Sequence, residues 1–281
     1  METAERALGN DLKLNTELVK DLLTRFVRDQ VRNVGFERAI IGLSGGVDSA
    51  VSTSLAAWAL GKQNTLAVIL PHRDSSRQSV EDAELVAREL GVQTETIDIT
   101  GIVESYAEAA GVSDKIRRGN LMARARMIFL YDLSLREQAL VIGTSNKTEL
   151  LLGYGTIHGD MACAINPIGD LYKTQVWQLA EALGISKQVI DKNPTADLWA
   201  GQTDEDELGF AYARVDVLLH KMVDDRRTDE ELTADGFEQE FINRVRELIR
   251  KNQFKRCLPI IAKVSHRTVN VDFRYVRDWG V

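Results

Sequence analysis

Four short β-branched runs, at residues 39–43, 65–70, 93–99 and 139–143, alternate with amphipathic stretches such as residues 79–90. Strands repeat near every second residue and helices near every 3.6, so the alternation spells a βαβ rhythm of buried strands. Strands joined through helices run parallel, and a parallel sheet carries its crossovers on both faces. The pattern predicts an α/β fold, an open doubly wound parallel sheet with helices on both faces and ligands beyond the carboxyl ends of the strands. After Pro167 the strand pattern fades, and helical segments at 174–183, 211–223 and 236–251 predict a helical C-terminal elaboration. Ahead of the sheet, Leu18, Leu22, Phe26 and Val31 recur at helical spacing behind Asn15, an N-cap type. They predict an opening helix within 14–35 whose apolar stripe is either core or a partner face.

With 281 residues, 44% of them hydrophobic, the chain can bury one large core. A single domain over 1–281 is expected, with an α/β core at 38–192, a mobile loop at 193–208 and a helical part with tail at 209–281. The loop is expected because NPTADLWAGQTDEDEL is polar, acidic and aperiodic. A net charge of -7 and a pI near 5.3 disfavour a nucleic-acid or membrane surface, which needs clustered excess Lys and Arg. Cys163 and Cys257 lie far apart without a CxxC partner, suggesting neither disulfide framework nor zinc site and fitting a reducing compartment. The amino-terminal stretch is polar and no long uncharged apolar run occurs, so a cytoplasmic protein is expected.

The first strand, AIIGL, runs straight into Ser44-Gly45-Gly46-Val47-Asp48-Ser49, and AVSTSLAAWAL then reads as a helix. Gly45 and Gly46 have no side chain to block an anion and can take positive φ, so successive backbone N–H groups can converge on a phosphate at a helix start. Ser44 and Ser49 add hydroxyl donors. Asp48 would repel a phosphate on its own, and a carboxylate there makes sense if it holds magnesium bridging to the phosphates. The loop is neither GxxxxGK[ST] nor GxGxxG, which disfavours kinase-like and dehydrogenase readings.

SGGVDS in this context resembles the PP-loop of the ATP pyrophosphatases, which cleave ATP to AMP and pyrophosphate while adenylating a substrate. Four further segments resemble the NAD synthetases: LPHRDSSRQSVEDAELV, RGNLMARARM, GTSNKTELLLGYGTIHGD with NPIGDLYKTQVWQLA, and PTADLWAGQTDEDELG, together covering most of residues 43–212. The resemblance implies an adenine nucleotide alpha hydrolase-like, Rossmann-like sheet. It also implies an ATP- and magnesium-dependent ligase that amidates nicotinic acid adenine dinucleotide (deamido-NAD) with ammonia through an acyl adenylate.

Carried over residue by residue, the resemblance assigns ATP binding to Gly42, Leu43, Ser44, Gly45, Gly46, Val47, Asp48, Ser49, Thr144, Lys173 and Thr195. It assigns the metal to Asp48 and Glu149, although Glu149 reads equally well as an acid in a helix's first turn. Asp48, Lys173 and Asp160 are the expected catalytic residues. Lys173 would neutralise charge moving from the α-phosphate to departing pyrophosphate, and Asp160 would orient or deprotonate the nucleophile. Read without the resemblance, Lys173 is an ordinary surface lysine.

Arg124 is expected to grip the dinucleotide, with Arg117, Arg118 and Arg126 near it on one predicted helix; a guanidinium suits pyrophosphate, while helix arginines are otherwise solvated. The resemblance places Ile157, Ala164, Phe254 and Lys255 at further substrate-binding positions. Here the chain departs from the compact ammonia-dependent enzymes, which usually carry Lys and Asp at the first two and His at the third. GYGTIHGDMACAINPIGDLYKT looks more like the synthetase domain of the larger glutamine-dependent enzymes. His158 and Cys163 read as packed residues or substitutes.

The implied adenylate hydrolyses readily, so residues 72–77 and 197–207 are expected lids, with Leu198 or Trp199 shielding the site. No glutaminase domain is legible before Leu14, so ammonia is expected to come directly or from a separate glutaminase, and the family implies a homodimer. Two other readings stand beside this one. One is a PP-loop enzyme adenylating another carboxylate or nucleotide acceptor; the other is a non-catalytic adenine-nucleotide-binding protein.

Overall fold

The computed structural model describes residues 12–199 and 201–272. Helix α1 (Thr16–Asn33) opens the described chain, and the Asn15 side chain caps it by accepting from the Leu18 N–H. Strands β1 (Arg38–Gly42), β2 (Thr65–Ile69), β3 (Gln93–Thr96) and β4 (Ala139–Ile142) follow. They alternate with α2 (Val47–Leu60), α3 (Arg77–Leu90), α4 (Thr100–Ala109) and the long α5 (Lys115–Glu137). Beyond the sheet come α6 (Lys147–Leu152), α7 (Lys173–Ala182), α8 (Lys187–Ile190), α9 (Asp204–Leu208), α10 (Tyr212–Leu219), α11 (Asp229–Ala234) and α12 (Gln239–Lys251).

All strands pair in parallel in the order β3-β2-β1-β4. The chain therefore builds outward from β1 to β3 and then returns to the far side of β1 to lay down β4. This reversal leaves a crevice beyond the carboxyl ends of β1 and β4, where open α/β sheets bind ligands. Alternate residues feed opposite layers. Ala39, Ile41, Ala67, Ile69 and Ile142 pack beneath α1, α2, α3 and α7, whereas Ile40, Leu66, Val68 and Val141 pack against α4 and α5. A separate cluster built on Leu152, Tyr172, Tyr212, Leu218 and Ile242 joins α6, α10 and α12 into the predicted helical elaboration.

Two expectations change. β3 ends at Thr96 and is largely exposed, because it is the sheet edge and its Gln-Thr-Glu-Thr side chains can stay solvated. In the α1 stripe Val31 is core, but Leu18 and Leu22 remain 61% and 58% exposed, since Val27 and Val31 define the face turned to the sheet. Among the described residues no helix is long and apolar enough to cross a membrane.

Candidate active site

Strand β1 delivers the chain into residues 44–46, and α2 starts at Val47 with Gly46 as N-cap. Gly45 takes φ +78°, and a Cβ there would sit 2.1 Å from the Ser79 carbonyl oxygen, so glycine is required. Gly46, at φ -94°, does not use the positive φ open to glycine. The hydroxyl of Ser49 donates to the Gly46 carbonyl at 2.9 Å and accepts from the Ser44 N–H at 3.2 Å, closing the loop on itself.

On the neighbouring strand end, Asn146 caps α6 in a reciprocal box with Glu149. The Asn146 side-chain amide then donates to Glu149 Oε1 at 2.7 Å and to Asp48 Oδ1 at 2.9 Å. One asparagine thus ties the two carboxylates together across β1 and β4. Lys173, at the start of α7 and 2% exposed, donates to Asp48 Oδ2 and lies 3.6 Å from Glu149. Its ammonium also faces the Tyr212 ring at 5.3 Å. A third carboxylate, Asp204 on α9, is buried and accepts from Tyr154 and Tyr212 hydroxyls at 3.0 and 3.2 Å.

The electrostatics follow from crowding. Burial, and then Asp48, push Glu149 up to about 8. For Lys173 burial alone would lower the pKa, but Asp48 and Glu149 outweigh it and hold the ammonium above the usual lysine range. Burial also raises Asp204, with Lys173 and the two tyrosines opposing it.

A cavity of about 750 Å³ opens at this point. Gly42, Leu43, Ser44, Gly46, Val47, Asp48, Ser49, Thr144, Glu149, Lys173 and Thr195 all line it, whereas Gly45 lies behind the surface. Asp160 lines it too; the walls desolvate this carboxylate enough to raise its pKa although it stays accessible to solvent, and its Oδ1 accepts from the Thr156 N–H at 2.9 Å. Lys255 reaches in and donates to the Gly153 and Gly155 carbonyls at 2.7 and 3.0 Å.

The remaining positions expected to bind substrate lie elsewhere. Arg124 is exposed and donates to the Ile157 carbonyl at 3.3 Å, so those two meet outside the cavity. Ala164 and Phe254 are exposed and do not line it. Arg126 does, held by the Leu70 carbonyl at 3.0 Å, while Arg118 pairs with Glu104. The two expected lids touch: the Ser76 N–H donates to both Asp197 oxygens at 3.1 and 3.0 Å, and Leu198 and Trp199 pack over Gly119. Residues 204–208 of the expected loop form α9.

Sequence reasoning misses Asn146, Asp204 and Tyr212. Asn146 carries a local signal, the N-x-x-E capping pattern. Asp204 and Tyr212 carry none, since only the packing of the C-terminal helices brings them beside Lys173.

The model for the family described as NAD synthase matches residues 19–259, through every element of the cavity. The chain belongs to the NAD synthase family. A curated NAD synthase relative, the NH(3)-dependent NAD(+) synthetase of Chlorobium phaeobacteroides, is 53% identical over 268 residues, covering 95% of this chain and 97% of its own. Among solved structures, the NH3-dependent NAD synthetase from Campylobacter jejuni in complex with nitrate superposes with a TM-score of 0.77 at 34% identity, over 89% of this chain and 100% of that one. The NMN synthetase from Francisella tularensis gives 0.80 at 33% identity, over 89% and 99%.

Proposed function

We propose that this member of the NAD synthase family amidates deamido-NAD with ammonia, consuming ATP and releasing AMP and pyrophosphate. The observation that carries the reading is the meeting of Asp48, Glu149 and Lys173 at the phosphate loop, at the sheet's switch point. Simple nucleotide binding does not call for two carboxylates and a buried cation, which disfavours a non-catalytic protein. Identity of 53% to a dinucleotide enzyme across nearly the whole chain favours deamido-NAD over a mononucleotide or another acceptor.

In this scheme the loop N–H groups and the Ser44 and Ser49 hydroxyls hold the ATP phosphates, with Thr144 and Thr195 along the nucleotide. Asp48 and Glu149, carboxylate oxygen donors of the kind a hard cation takes, would hold magnesium. When bound, magnesium supplies charge neutralisation on the phosphates. The nicotinate carboxylate attacks the α-phosphorus and pyrophosphate departs, while Lys173 stabilises the charge developing on it. Asp160 orients ammonia, which attacks the acyl carbon; the tetrahedral adduct loses AMP and a proton to leave the amide. Leu198 and Trp199, which line the cavity, keep water from the adenylate.

The chain is read as one domain over 1–281, of which residues 1–11, 200 and 273–281 lie outside the described residues. A homodimer is supported by the exposed apolar Leu18 and Leu22 on α1 and Ile128 and Leu135 on α5. A second copy would complete the dinucleotide site around Arg124, Ile157, Ala164 and Phe254. We place the enzyme in the cytoplasm, in keeping with its free cysteines, with ammonia arriving directly or from a separate glutaminase.

Deamido-NAD labelled with ¹⁸O in its carboxylate tests the chemistry. The scheme requires one labelled oxygen in the AMP phosphate; label in pyrophosphate or water alone excludes an acyl adenylate.

A further inference from the structure

Beside the phosphate loop lies an ion pair between Asp82 and Lys192 that this scheme does not use. Asp82 on α3 is 1% exposed. Its Oδ1 accepts from the Gln78 and Gln188 amides at 2.8 and 2.6 Å, and its Oδ2 from Lys192 at 3.0 Å. The same ammonium donates to Ser79 Oγ at 3.0 Å and reaches the Gly45 carbonyl oxygen at 3.5 Å. An ammonium has three hydrogens, and these acceptors occupy all of them. Although Lys192 borders the cavity, its charge is committed to the protein.

The acceptor that matters is Gly45. Its carbonyl and the Gly46 N–H belong to one planar trans peptide and point in opposite directions. With the carbonyl drawn to Lys192, the Gly46 N–H turns the other way, toward Ser44 Oγ at 3.3 Å, a group on the cavity wall. A peptide between two glycines has little intrinsic resistance to reorientation. Turned over, it would present a carbonyl dipole to an incoming phosphate in place of a donor.

We infer that Lys192, anchored by Asp82, is a positioning residue that fixes the Gly45–Gly46 peptide with its N–H toward the ATP phosphates. The inference rests on the phosphate-loop reading above. The brace also reaches the lids, because Lys192 directly precedes residues 193–208 and α3 begins beside Ser76, whose N–H holds Asp197. Loop orientation and closure over the nucleotide therefore share one support.

Lys192→Met tests it, with wild type alongside, by calorimetric titration of magnesium-ATP without dinucleotide and by steady-state kinetics. The Kd for magnesium-ATP and the KM for ATP rise roughly 10- to 100-fold, as for other residues that act through a ligand. The KM for deamido-NAD stays within about twofold, a split that loss of general stability would not produce. Lys192→Arg restores part of the ATP affinity. Lys192→Met with Asp82→Asn, which leaves no unpaired buried carboxylate, regains thermal stability without regaining ATP affinity, and this double variant serves as the test should the single variant fail to fold. Unchanged magnesium-ATP affinity in a folded variant overturns the inference, as does equal weakening of both substrates that Asp82→Asn repairs. Wild type that binds magnesium-ATP but makes no NAD refutes the proposed reaction and leaves the brace standing.

Discussion

Lys173→Met removes the ammonium shared by the site's carboxylates while keeping most of the apolar stem of the side chain. Lys173 is 2% exposed, bonded to Asp48, and 3.6 Å from Glu149. Without the ammonium, the Asp48 carboxylate loses its ion-pair partner. Leaving a buried charge without its partner costs about 3–5 kcal/mol. Asp48 keeps 17% of its side chain exposed, which places the expected loss near the low end, ~3 kcal/mol. Turnover at saturating substrates falls roughly 10²- to 10³-fold, the range for losing one preorganised electrostatic group. Lys173→Met combined with Asp48→Asn removes both charges and recovers most of the stability, while turnover stays low. Urea unfolding reads the first quantity, and enzymatic reduction of the NAD formed reads the second. A single variant that unfolds at the wild-type midpoint refutes the reasoning, as does a double variant that regains turnover along with stability.

Further outcomes follow from the same geometry. Asp216, buried on α10, accepts from Thr148 Oγ1 and the Thr174 N–H, yet burial still pushes it up to about 6 from 3.8. Its folded pKa exceeds the unfolded one, so its stabilisation is complete below the unfolded value and lost as pH rises through the folded value, about 3 kcal/mol in all. Asp216→Asn removes that slope from unfolding curves measured between about pH 4 and pH 6. Gly45→Ala forces a side chain into a left-handed conformation against the Ser79 carbonyl and abolishes magnesium-ATP binding in calorimetry. Asp197→Ala cuts the tie to Ser76 and admits water to the adenylate, so product analysis shows AMP formed in excess over NAD. Deamido-NAD gives a higher kcat/KM than nicotinic acid mononucleotide in competition; the reverse preference would move the chain toward the NMN synthetase likeness.

Much of the scaffold is legible in the sequence because its signals are local. The β-branched runs, the Asn15 cap and the glycine pair before α2 each act over a few residues, and the observed strands begin within one residue of the predicted runs. The convergence of Asp48, Glu149 and Lys173 is accessible only through the family resemblance, since their separation in sequence says nothing about strand order. What stays hidden depends on tertiary packing. Asp82 and Asp204 read as two among many acids until α8 and the C-terminal helices enclose them. Arg124 and Arg126 are two residues apart on α5 and hence on different faces, which decides that only Arg126 borders the cavity. The exposed edge at β3 follows from strand order, which periodicity does not encode.

The central claim is tested most directly by incubating the purified chain with magnesium-ATP and deamido-NAD, with ammonium or glutamine as nitrogen donor, and quantifying NAD, AMP and pyrophosphate. The account predicts equal amounts of all three with ammonium and none with glutamine alone. ADP and phosphate as products, or AMP and pyrophosphate without NAD when ammonium is saturating, would contradict it.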